Sequence, residues 1–262
     1  MTARSAGPTR PSIDDIVRYG FGTPWDAPTV PTFPFSFRDV HTMTLVYRTD
    51  IDAVERLLPP PLEPVGDVVL IHIYDMRDTD WLGPYQECNV SIGARLPAAG
   101  KSGTYSPYLF LSSEIGVVHG REVHGQPKKL GFPKLEARGD LLVGTVSRNG
   151  IDIVTGTMPY KQHRDSLGRL AEYMPFDVNM NLKSIDHIDG RPAIRQLTSR
   201  KLADLSVQEC WSGPATVELR PNAQAPVHRL PVREMLEAFY WRGSFTLVPG
   251  EIIHDYLGAG GD

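Results

Sequence analysis

The sequence predicts a mainly β fold of the α+β kind, a single domain of antiparallel strands with a few flanking helices. Three observations predict it. The 262 residues include 23 prolines and 24 glycines, which cut the chain into the short pieces that turn-rich β folds require. Between those breaks, short runs alternate apolar and polar side chains with a period of two. No internal repeat, low-complexity segment or linker divides the chain, and its length is ample for one core with an internal pocket.

The elements follow in order. Ser12 is placed to cap a short helix carrying Asp14 and Asp15 in its first turn, where carboxylates complement the helix dipole. Residues 24 to 36 hold four prolines and read as an extended arm, so residues 1–32 form an N-terminal helix and proline-rich arm. Strands are expected at His41–Arg48, Asp67–Asp75, Glu87–Leu96, Tyr108–Leu111, Leu135–Ala137, Leu141–Ser147 and Ile151–Thr157. More follow at Met180–Ile185, Ala193–Leu197, Leu202–Cys210 and Thr216–Leu219. Helices are expected over Ile51–Leu58, after Asp50 as cap, and over Val232–Tyr240. The β domain spans 33–257, and residues 258–262 read as a flexible tail.

Alternation places side chains on faces. Leu70, His72 and Tyr74 share one face, and Val69, Ile71 and Ile73 the other. A strand apolar on both faces is buried on both, so His72 lies inside, either as a satisfied core histidine or in a pocket. Next, Tyr85, Glu87, Asn89 and Ser91 share a polar face opposite Cys88, Val90 and Ile92. That face borders either solvent or a wet cavity.

Composition excludes several classes of function. A net charge of −4 and a pI near 6.1 give no basic footprint for nucleic acid. No apolar run is long enough to span a bilayer, and MTARSAGPTRPS lacks the apolar stretch of a signal peptide. Cys88 and Cys210 fit no metal spacing. The eight histidines show no metal-ligand pattern, and His119 and His124 read as flanking a turn at Gly120 and Gly125. The expectation is a cytoplasmic protein with reduced thiols and no metal; where a lysine is itself the electron sink for a small carbonyl substrate, as read for Lys128, no separate cofactor is implied.

The chemistry centres on Pro127-Lys128-Lys129. A lysine is nucleophilic only as the free amine, and burial or a neighbouring cation lowers its pKa enough to expose it. Such an amine condenses with ketones and 2-oxo acids to a Schiff base. By themselves two adjacent lysines are ordinary surface charge. Around them, however, run Arg121-Glu122, Pro127 to Leu130, Pro133-Lys134-Leu135, Leu142-Val143-Gly144-Thr145 and Thr157-Met158-Pro159-Tyr160-Lys161. Tyr47-Arg48-Thr49-Asp50, Pro60-Pro61-Leu62-Glu63 and Gly83-Pro84-Tyr85-Gln86-Glu87 precede them. Glu209 to Pro214 and Asp255-Tyr256-Leu257 follow.

In this order the motifs resemble the acetoacetate decarboxylase superfamily over residues 33 to 257, and that enzyme is itself a known case of lysine activation by its surroundings. The resemblance implies a cone-shaped antiparallel barrel with Lys128 as Schiff-base lysine at its cavity. It also implies Lys129 as the neighbour credited with lowering that lysine's pKa, and a homo-oligomer of four or more subunits. Three positions depart from the family. Its arginine ahead of the first strand falls on Val40, with Arg38 nearby. A glutamate becomes His72, and the aromatic before Pro-Lys-Lys becomes Gln126. Glu87 keeps the second glutamate.

His72 and Gln126 add hydrogen-bonding capacity where an anion would sit. The expectation is therefore a pocket that retains a carboxylate, as in the superfamily's pyruvate aldolase-dehydratases. In that reading Lys128 forms an iminium with pyruvate and Glu87 is the general base. Tyr85 and Gln126 orient the aldehyde, and His72, Arg38 or Arg121 anchors the carboxylate. Met158 supplies apolar wall around Lys128. If the Lys-Lys segment is extended, Lys129 points away and burial is the main cause of a lowered pKa. The alternatives are acetoacetate decarboxylation and a non-catalytic barrel that binds small ligands.

Overall fold

The computed structural model describes residues 10, 12–18, 22–24, 27–30, 33–175 and 178–258. Four short helices accompany the strands: α1 (Ile13–Arg18), α2 (Ile51–Glu55), α3 (Glu114–His119) and α4 (Leu167–Tyr173). The first eight strands are β1 (Phe35–Arg48), β2 (Glu63–Thr79), β3 (Tyr85–Leu96), β4 (Lys101–Leu111), β5 (Lys128–Leu130), β6 (Phe132–Arg138), β7 (Leu141–Arg148) and β8 (Ile151–Met158). The remainder are β9 (His163–Arg164), β10 (Asn179–Asp186), β11 (Pro192–Arg200), β12 (Leu202–Gly213), β13 (Thr216–Leu219), β14 (Glu234–Leu247) and β15 (Glu251–Asp255).

These strands form two sheets. The large one runs β15-β11-β10-β4-β3-β2-β1-β14-β12-β9, with β5 added to β4, and the small one runs β13-β8-β7-β6. The expected cone-shaped barrel is not closed. Among the described residues β15 and β9 are separate edges of an open sheet.

The alternation read from the sequence holds in β2 and β3. Ile71, Ile73, Cys88 and Val90 pack with Leu142, Val146 and Val154 of the small sheet. On the opposite face Leu70, Tyr85, Leu109, Leu111, Leu170, Phe239 and Trp241 make a second apolar cluster. The polar site lies on this second face.

Local chemistry accounts for the ends. Ser12 Oγ accepts from Asp15 N at 3.1 Å, and Asp15 Oδ2 accepts from Ser12 N at 2.9 Å, a reciprocal cap on α1. Asp50 precedes α2, but its carboxylate pairs with Arg233 at 2.7 Å instead of capping. The helix expected over residues 232–240 is a strand. Ala238 and Tyr240 face one core and Phe239 and Trp241 the other, and β1 and β12 pair on either side. Burial on both faces overrides a helix-compatible sequence. The tail at 259–262, most of residues 1–11 and parts of the arm lie outside the described residues.

Candidate active site

Strand β5 runs parallel to the end of β4, with Lys128 opposite Leu109. Its alternation turns Lys128 inward, 7% exposed, and sends Lys129 out, where its Nζ donates to the Gln224 carbonyl at 2.8 Å. Lys128 Nζ lies 3.0 Å from Glu87 Oε2, and both side chains are buried. Glu87 stands on the polar face of β3 with Tyr85, Asn89 and Ser91, all buried. That face borders a cavity.

Burial holds the Lys128 amine below its ordinary value, and the Arg200 guanidinium pushes the same way while Glu87 opposes both. Desolvation dominates, as the extended backbone implied. The second cation is Arg200, at the end of β11, and not Lys129. This corrects the role expected for Lys129.

The loop before Lys128 shapes the lysine's bed. Ser113 Oγ accepts from Gly116 N at 3.2 Å to cap α3, which continues into a π-helical turn over Gly120–His124. Such turns concentrate at functional sites. Gly125 has φ 75°, and a Cβ there would lie 2.5 Å from Lys183 Cα. At Gly120 a Cβ would fall 2.3 Å from Lys128 Cδ and 2.7 Å from Cε. Gly120→Ala therefore displaces the lysine chain while leaving its own helical backbone unstrained. The expected result is a loss of kcat of about 10²-fold from misplacement of the amine, measured beside a melting curve that stays cooperative.

Gln126 is 3% exposed. A guanidinium only donates, so the amide oxygen faces Arg200 and accepts from Nη2 at 2.9 Å and Nε at 3.3 Å. Arg200, half-buried, lines a cavity of about 440 Å³ together with His72, Tyr74, Asn89 and Ser91. Tyr74 is the cross-strand partner of Glu87, and His72 that of Asn89, so the cavity adjoins the lysine–glutamate pair. His72 Nδ1 and Thr44 Oγ1 are 2.9 Å apart, and the imidazole stacks on Tyr74 at 5.7 Å.

His119 and His124 bracket the turn at Gly120 and Gly125, as the sequence suggested, but not at the surface. They are buried, edge to face at 5.2 Å, with Phe33 against both. Burial, with Lys128 and then Arg200 nearby, pushes His119 down to about 3. Burial and Arg200 push His124 down to about 2, and burial alone pushes His72 to about 4.

All three histidines stay neutral in the fold while the unfolded chain takes up protons near 6.5. The unfolded state then binds more protons, so stability falls as pH drops below about 6.5 toward the folded values. Each histidine contributes a slope on the order of 1 kcal/mol per pH unit. The melting temperature is expected to fall steeply between about pH 6.5 and 4, and less steeply in His124→Phe. Equal slopes in both proteins would contradict this account.

Other residues expected at the site lie elsewhere. Arg38 is exposed and held by Asp78 at 2.9 Å and Asp80 at 2.7 Å, so it anchors no substrate in the cavity. Arg121 is exposed and its Nη1 donates to the Lys128 carbonyl at 3.4 Å, bracing the backbone from outside. Met158 is fully buried between the sheets with Cys88 and Val90, across the large sheet from Glu87. It forms no wall around Lys128. Tyr85 remains beside Glu87, with its ring edge-on to Phe37 at 6.5 Å.

The sequence reading gave no site role to Arg200, Tyr74 or the histidine pair. Ser199-Arg200-Lys201 looks like any polar strand end, and only pairing within the large sheet carries it to the lysine. Among the described residues no group of three or more His, Cys, Asp or Glu could hold a metal. None of their helices is long and apolar enough to cross a membrane.

Comparison with known proteins places the chain among lyases. It belongs to the acetoacetate decarboxylase family, whose sequence profile matches residues 21–257. The acetoacetate decarboxylase of Acidiphilium cryptum is 39% identical over 237 residues, covering 90% of this chain and 96% of that protein. That of Clostridium acetobutylicum is 35% identical over 246 residues, covering 93% and 98%. The crystal structure of acetoacetate decarboxylase from Legionella pneumophila superposes with a TM-score of 0.86 at 30% identity, over 97% of this chain and 100% of that one.

An enduracididine biosynthesis enzyme complexed with pyruvate shares the fold at a TM-score of 0.76 but only 16% identity. These relationships overturn the expected pyruvate aldolase-dehydratase. The Gln126 amide oxygen is held by Arg200 and one ring nitrogen of His72, Nδ1, is paired with Thr44, so each offers less hydrogen-bonding capacity than that expectation assumed.

Proposed function

We propose that this enzyme decarboxylates β-keto acids of the acetoacetate type through a Schiff base on Lys128. The buried Lys128–Glu87 pair at 3.0 Å carries the reading. The neutral amine attacks the keto carbon. The alkoxide so formed takes a proton from solvent, and Glu87 takes the proton that leaves nitrogen and returns it to the hydroxyl, which departs as water to leave the iminium. The bond to the carboxylate then breaks, its electron pair flowing to the iminium nitrogen, and carbon dioxide and an enamine result. Protonation of the enamine carbon and addition of water release the ketone and the free amine.

Arg200 is the cation that draws the acid toward the lysine, and Gln126 fixes its guanidinium. The Glu87 carboxylate opposes retention of a second negative charge beside the iminium, which favours loss of carbon dioxide. The test is release of carbon dioxide and acetone from acetoacetate, with borohydride added in a parallel sample. Turnover, together with a reduced adduct on Lys128, supports the proposal. A folded protein that gives neither refutes it.

A further inference from the structure

The cavity is larger than acetoacetate, the smallest β-keto acid, can fill, and one end of it is apolar. Its polar end, at Arg200, His72 and Tyr74, is enough to receive the carboxylate and keto group. The cavity, about 440 Å³ in all, continues beyond that end between α4 and β12, where Leu167, Leu170, Ala171, Leu202, Leu205 and Trp241 line it. A volume of this order belongs to ligands well above the size of acetoacetate.

Two features show that the apolar end is shaped and not left over. Strand β12 is bulged, with Asp204 and Leu205 set against Phe245 alone between the pairs Ala203–Thr246 and Ser206–Ser244. Asp204 takes φ 53° there, and bulges beside active sites re-aim side chains. Leu202 and Leu205, 41% and 48% exposed, stand at the cavity rim, where an apolar ligand would cover them. The opposite wall is closed by Leu170 and Trp241, 2% and 5% exposed.

We infer that the substrate is a 3-oxo acid with an extended apolar acyl chain, its carboxylate toward Arg200 and its tail between α4 and the β12 bulge. This rests on the decarboxylase reading. Carbon dioxide release from acetoacetate, 3-oxohexanoate and 3-oxooctanoate tests it, each corrected for the spontaneous rate. Burial of each added methylene is expected to raise kcat/KM about fourfold, so 3-oxooctanoate, four methylenes longer, gains about 250-fold over acetoacetate.

Ala171 is exposed on α4 and lines the cavity. Ala171→Trp fills that space and is expected to lower the ratio of 3-oxooctanoate to acetoacetate turnover at least about tenfold. Turnover of acetoacetate with a flat or falling response to chain length would overturn the long-chain substrate and leave the decarboxylase reading intact. No carbon dioxide from any acid would overturn both. The chain-length series on the unaltered protein decides the matter even if the variant fails to fold.

Discussion

Lys128→Met is expected to lower the proposed decarboxylation of acetoacetate by on the order of 10⁵-fold or more, the scale of losing a covalent nucleophile. Methionine keeps the length and apolar body of lysine, so the packing against Gly120 is preserved while the amine is lost. It leaves Glu87, 6% exposed, without the partner at 3.0 Å. Breaking a buried pair from one side costs about 3–5 kcal/mol, so a fall in melting temperature is expected alongside. Lys128→Met combined with Glu87→Gln recovers part of that stability and none of the activity. The borohydride adduct is absent in both. Retention of more than about one-thousandth of the rate in a folded Lys128→Met protein would show that the amine is not the nucleophile.

The difference between what the sequence displayed and what it concealed is physical. Alternation in β2 and β3 was legible because both faces are buried, and a one-residue slip would exchange the faces completely. It put His72 and Glu87 on faces opposite their apolar neighbours, but left open whether those faces meet a cavity, a packed core or solvent. The extended Lys-Lys step likewise told inward from outward. The region 232–240 was illegible because its pairing partners, β1 and β12, are distant in sequence, and local propensity is a weak prior against them.

Arg200 was illegible for the same reason. The departure at Val40 looked like a missing cation, and Arg38 looked like its nearest replacement. Instead Val40 is fully buried in the apolar cluster on the site side, Arg38 is tied to surface aspartates, and the cation comes from β11. Reading His72 and Gln126 as wholly available to substrate led to the wrong reaction, because Thr44 takes one ring nitrogen of the first and Arg200 the amide oxygen of the second.

Arg200→Met is expected to lower kcat/KM for acetoacetate near neutral pH by about 10²- to 10³-fold, the scale of removing a charge-stabilising donor from an enclosed site. Two effects are combined, and the pH profile separates them. Arg200 disfavours the Lys128 ammonium, so its removal raises the lysine's pKa. The free amine then forms only at higher pH, and the acid limb of kcat/KM moves upward toward the ordinary lysine value. Rate lost for this reason returns in alkaline solution. Rate lost because the carboxylate has no cation to meet stays lost and appears as a raised KM.

Stability carries the same sign. A folded amine pKa below the unfolded one means that the unfolded chain binds more protons between the two values, so stability rises with pH across that window. Removing Arg200 narrows the window and flattens the rise. An acid limb that does not move in Arg200→Met would mean that desolvation alone sets the amine, and Arg200 would then be a substrate-binding group only.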